Sequence, residues 1–120
     1  MGTTKTFTEL LVWQKAHKLV LSIYKISHDF PKEETFGLTS QIRRAAISIP
    51  ANIAEWYRRK SKQEKTRFFN ISEGSLEEVK YYMMLAEDLS YCHSGELFEH
   101  ANEVGKLLNS YSKKILTSIS

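Results

Sequence analysis

The chain has 120 residues, 42% hydrophobic and 26% charged, with a formal net charge of +3 and a pI near 9.0. That length makes one domain, able to bury roughly two thirds of its unfolded surface without disulfides or a structural metal. No apolar run approaches the ~18 residues of a membrane span, and a single cysteine, Cys92, excludes an internal disulfide and fits a reducing, cytoplasmic setting.

The amino terminus, Met1-Gly2-Thr3-Thr4-Lys5-Thr6, is too polar for a signal peptide. It fits a loose myristoylation pattern, but one acyl chain is only a marginal anchor. A first helix is expected over about residues 8–28, with Thr8 as its N-cap. Val12, Ala16, Leu19, Ile23, Ile26 and Phe30 form one apolar stripe at four-three spacing, and Leu10, Trp13, His17, Val20 and Tyr24 form a second beside it. Two adjacent stripes exceed what the intramolecular neighbours of one helix need. Leu10, Trp13, Val20 and Tyr24 are therefore assigned to an interface between copies of the chain. Pro31 ends the helix.

A second helix is expected over about 38–60, with Leu38, Ile42, Ala45, Ile49 and Ile53 as its apolar face and a bend at Pro50. A polar stripe runs alongside: Gln41, Arg44, Ser48, Asn52 and Glu55. It is either a ligand site or, as favoured here, a hydrogen-bonded seam that sets helix register. The third helix, about 62–92, opens on the capping box Ser61-Lys62-Gln63-Glu64. In its middle stand Gly74 and Ser75, where glycine costs about 1 kcal/mol relative to alanine. That cost suggests close approach, so Gly74, Ser75 and Glu78 are placed opposite the polar stripe, with Glu73 and Glu78 as acceptors for Arg43 or Arg44. The sequon Asn70-Ile71-Ser72 falls inside this helical pattern and reads as chance. A fourth helix, about 95–117, carries Leu97, Ala101, Val104, Leu108, Tyr111 and Ile115. Nothing alternates with period two. The pattern predicts an all-α, antiparallel up-down-up-down four-helix bundle occupying the whole chain as one domain.

Between the second and third helices, six of the ten residues from Arg58 to Arg67 are cationic: Arg58, Arg59, Lys60, Lys62, Lys65 and Arg67. Trp56, Tyr57, Phe68 and Phe69 flank them. Cations hold phosphates and aromatic faces stack on unpaired bases, so these six with Trp56 and Tyr57 are the candidate nucleic-acid contacts. The competing reading is a solvated turn whose aromatics belong to the core. His17, His28, His93 and His100 lack metal-ligand spacing, no glycine-rich phosphate loop is present, and no arginine is followed at four to six residues by histidine as in helical toxin ribonucleases. No cofactor, metal or catalytic role is expected.

These segments resemble a known family. Leu10-Leu11-Val12-Trp13-Gln14-Lys15-Ala16, Phe30-Pro31, Phe36 through Ala45, Ser48-Ile49-Pro50-Ala51-Asn52-Ile53-Ala54-Glu55 and Gly74-Ser75-Leu76-Glu77-Glu78 are similar to the four-helix proteins encoded in intervening sequences of bacterial 23S rRNA genes. Accessory proteins of diversity-generating retroelements belong to the same family. The resemblance implies a homo-oligomer, typically a pentamer, with a basic surface and an RNA or RNA-protein partner. The alternative is a protein-protein scaffold with no nucleic-acid role. The family usually carries glycine after the Asn-Ile-Ala-Glu segment, where this chain has Trp56.

Overall fold

The computed structural model describes residues 6–117, and the amino-terminal Met-Gly motif lies outside them. A 3-10 turn at Phe7–Glu9 leads into α1, Leu11–Ser27. The helix therefore starts later than Thr8. Leu10 stands at its N-cap with no side-chain cap, because the backbone closes the preceding turn through Glu9 N–H to Thr6 O (3.1 Å) and Leu10 N–H to Phe7 O (3.0 Å). Thr8 contributes its carbonyl, which accepts from Gln14 Nε2 at 3.0 Å.

After a second 3-10 turn, Lys32–Glu34, α2 spans Leu38–Arg58 and continues unbroken through the buried Pro50. Its first turn is capped by a side chain of the preceding 3-10 turn. Glu34 Oε1 accepts the Leu38 N–H at 2.9 Å, satisfying one of the four orphan donors of a helix start. The other oxygen accepts the Tyr91 hydroxyl at 2.9 Å. The Leu38 N–H foremost, and then Tyr91, hold the Glu34 carboxyl below its ordinary range.

α3 spans Lys62–Asp88, and Ser61 Oγ accepts the Glu64 N–H at 3.1 Å, half of the expected capping box. The Glu64 carboxylate lies instead 3.8 Å from Arg59 Nε. α3 stops four residues short of residue 92, because Ser90 turns left-handed at φ 63. Its N–H bonds Glu87 O and the Tyr91 N–H bonds Ala86 O, both at 2.9 Å, which is the paired closure of a Schellman end with serine in the usual glycine position. Tyr91 then packs on Phe30, ring centroids 5.6 Å apart. The N–H and hydroxyl of Ser94 both donate to Glu87 Oε1 (3.0 and 2.6 Å) just before α4, Gly95–Thr117. Those bonds hold the Glu87 carboxyl below its ordinary range.

α1 packs on α2, α2 on α3 and α3 on α4, and α4 closes back on α1; across the diagonal α2 and α4 meet through the Trp56 and Tyr111 rings. The result is an up-down-up-down bundle 50 Å long. Leu19, Ile23, Ile42, Ile49, Ile53, Leu76, Met83 and Leu108 are its largest fully buried side chains, each contributing ~1.5–3 kcal/mol by leaving water. The α2–α3 contact is the most extensive, and the small buried residues Ala45, Ala46, Ser72 and Ser75 explain how the two helices come so close.

Candidate functional site

The polar seam between α2 and α3 forms, with fewer members than the sequence suggested. Ser75 Oγ donates to Ser48 Oγ at 2.7 Å, and Asn52 Nδ2 donates to Ser48 Oγ (3.0 Å) and Ser48 O (2.8 Å). Ser72, fully buried, donates to Ile49 O at 2.9 Å and extends the seam. Gln41, Arg44, Glu55 and Glu78 are exposed and stand outside it. Gly74 is exposed too, and a Cβ built there would meet nothing within 4 Å. The close approach attributed to Gly74 belongs to Ser72 and Ser75. A second one lies at Gly105 of α4, where a Cβ would stand 3.3 Å from Leu76 Cδ2.

Arg43 finds no acceptor on α3. It reaches α1, donating from Nε to Ser27 Oγ (2.8 Å) and from Nη2 to Tyr24 O (3.2 Å), with its guanidinium 4.5 Å from the Tyr24 ring centroid. Ser27 itself donates to Ile23 O at 2.6 Å. Arg43 thus ties α2 to the end of α1.

The four interface candidates on α1 divide. Val20 is only 9% exposed and belongs to the chain's own core. Leu10 and Trp13 are half-buried against that core, and Trp13 lies between Phe7 (5.3 Å, edge) and His17 (4.9 Å, stacked). Tyr24 remains exposed. The apolar residues presented outward include Leu11 and Leu21 of α1, each one position off the predicted stripe, and Ile47 of α2.

At the α2–α3 turn the cations also divide. Arg59 is held by Glu55 (2.6 Å) and Glu64, and lies over the Phe68 ring at 4.8 Å. Lys65 donates from Nζ to Trp56 O at 3.1 Å, capping the end of α2, and partial burial lowers its pKa. Trp56 is buried at 6% exposure, ringed edge-on by Phe69 (4.7 Å), Tyr111 (5.8 Å) and Tyr57. It cannot stack on a base. It fills the core at this end, and Tyr57 packs beside it. Arg58, Lys60 and Lys62 point to solvent, and Arg67 is exposed with its guanidinium 5.2 Å from Phe68. The fold adds Lys114, whose Nζ lies 5.6 Å from the Tyr111 ring that touches Trp56. Only the up-down order brings the end of α4 to this turn, so no local signal marks Lys114.

Among the described residues no group of three or more His, Cys, Asp or Glu could hold a metal ion, and no helix is long and apolar enough to cross a membrane. Fold and site together define a helical bundle with several exposed cations around the α2–α3 turn and a part-buried, hydrogen-bonded seam between α2 and α3. The chain belongs to the family of the 23S rRNA-intervening sequence protein, whose model matches residues 8–110. It is also similar to a crystal structure of a protein of unknown function from the S23 ribosomal protein family of Bacteroides thetaiotaomicron. That pair shares 25% identity with a TM-score of 0.78, over 86% of this chain and 96% of the other. No curated protein matches.

Proposed function

We propose that this protein is a non-enzymatic, oligomeric, cytoplasmic accessory factor that binds structured RNA through the basic end of the bundle. The supporting observation is the charge left over after internal pairing. Arg58, Lys60, Lys62 and Arg67 stay exposed around one turn, and Lys114 joins them from α4. Five such ends on one rim, the arrangement a homopentamer gives, would turn modest phosphate contacts into avidity. Leu11, Leu21, Tyr24 and Ile47 on α1 and α2 are the surface that neighbouring copies would cover. With Trp56 buried, recognition rests on phosphates rather than base stacking, so binding is tolerant of sequence.

Fluorescence anisotropy with a labelled RNA hairpin tests this reading. Binding at low salt that weakens steeply as salt rises supports it. Absence of binding at ~50 mM salt would refute it in favour of a protein scaffold.

A further inference from the structure

The charges of this chain are segregated. From Tyr81 to Gly105 there is no lysine or arginine and there are five acids, so a chain of net charge +3 contains a block of −5. The fold places most of that block at the end of the bundle opposite the α2–α3 turn, around the α3–α4 connection. There, α3 and α4 leave a groove of about 370 Å³ lined by Met84, Glu87, Asp88, Phe98 and Glu99, with Ser94 and Gly95 closing one end. Its apolar elements are accessible: Met84 is 53% exposed, Phe98 is half-buried, and Leu89 beside it is 46% exposed.

Two of the acids have no internal explanation. Glu87 is accounted for by its bonds to Ser94. Asp88, by contrast, is the last residue of α3, a turn with no basic side chain, where the helix macrodipole disfavours negative charge. Among the described residues neither Asp88 nor Glu99 forms an ion pair, and both are exposed. An exposed methionine and a half-buried phenylalanine in a groove between two helices, rimmed by unpaired carboxylates, are the complement of a helix with apolar anchors and a cationic border.

We propose that this groove docks a cationic amphipathic helix of a partner protein, its apolar face on Met84 and Phe98 and its Lys or Arg side chains against Asp88 and Glu99. Nucleic acid is the wrong sign for this end. A second copy would bring its basic end, but there Trp56 and Phe69 are buried, and the partly buried Phe68 and Tyr111 already lie against Arg59, Arg67 and Lys114 of their own chain. The groove does not depend on the RNA reading, and Arg58, Lys60 and Lys62 at the far end play no part in it.

The test is methyl NMR on the full chain with labelled methionine, titrated with a synthetic amphipathic helix of Leu and Lys. The Met84 methyl should shift while the buried Met83 methyl moves little. The double variant Asp88→Lys/Glu99→Lys, checked for an unchanged melting temperature, should weaken binding about tenfold or more. A Leu/Glu helix should not bind. The proposal is overturned if Met84 does not respond, if the Leu/Glu helix shifts it equally, or if charge reversal leaves the affinity unchanged. It is also overturned if the protein alone self-associates through this groove, seen as sedimentation that the double variant reduces.

Discussion

Ser48→Ala is the most incisive perturbation of the α2–α3 seam. Ser48 Oγ is the acceptor on which Ser75 Oγ (2.7 Å) and Asn52 Nδ2 (3.0 Å) converge. Asn52 keeps a second acceptor in Ser48 O, but among the described residues Ser75, only 7% exposed, has Ser48 Oγ as its one side-chain partner. Leaving a buried hydroxyl unsatisfied costs about 1–3 kcal/mol, and the better helix propensity of alanine returns ~0.5 kcal/mol. The net loss is therefore about 0.5–2.5 kcal/mol, which for a chain of this size lowers Tm by roughly 2–10 °C. The double variant Ser48→Ala/Ser75→Ala removes the stranded hydroxyl as well, so its loss should be smaller than the sum of the two single losses. Thermal unfolding followed by circular dichroism at one fixed protomer concentration is the assay, because oligomerisation makes Tm concentration-dependent. A Ser48→Ala protein that melts with wild type, or strictly additive losses, would refute the convergence of these three side chains.

Gly74→Ala should raise stability by about 0.5–1 kcal/mol, since the added Cβ meets nothing and alanine lowers the entropy cost of the helix. Gly105→Leu, crowding Leu76, should destabilise by about 1–3 kcal/mol in the same melting experiment. For Glu34 the folded-state pKa is depressed, so its contribution is complete above the ordinary value near 4.5 and is lost as pH falls through the lower folded-state value. A Tm-versus-pH profile of Glu34→Gln should accordingly be flatter than wild type in that acid window. Light scattering coupled to size exclusion should show a homo-oligomer, and Leu21→Lys/Ile47→Lys should convert it to monomer, whereas a monomeric wild type would contradict the assembly proposal.

The helices themselves were legible because their core faces repeat every three to four residues over long stretches, and Ser61 announced the start of α3. What the pattern left open was mostly a matter of phase and of partners. Successive residues on a helix point about 100° apart, so Gly74 and Ser75 cannot face α2 together, and the sequence does not say which one does. The same ambiguity put Val20 in an outer stripe and left Leu21 unnoticed. Arg43 carried no mark of its partner, since Ser27 and Tyr24 become neighbours only once α1 and α2 are laid side by side. The end of α3 was hidden for a different reason: its left-handed residue is Ser90, where glycine would have been the visible signal. At the basic end, charge was readable but allegiance was not. Arg59 and Lys65 serve the fold, Trp56 fills it, and Lys114 arrives from the far end of the chain.

The central claim, that the basic end is the RNA-binding surface, is tested most directly by the salt dependence of binding in two charge-reversal variants. Arg58→Glu/Lys60→Glu/Lys62→Glu replaces three exposed cations that make no internal contact needed by the bundle, while Lys25→Glu/Lys32→Glu changes charge at the opposite end. The slope of log K against log salt falls by about 0.7–0.9 for each phosphate contact removed. The account predicts that the first variant loses affinity and flattens that slope by roughly two to three while its Tm is retained, and that the second keeps the wild-type slope. Equal losses in both variants would mean that net charge alone attracts RNA, and an unaffected first variant would place the binding surface elsewhere; either result contradicts the account.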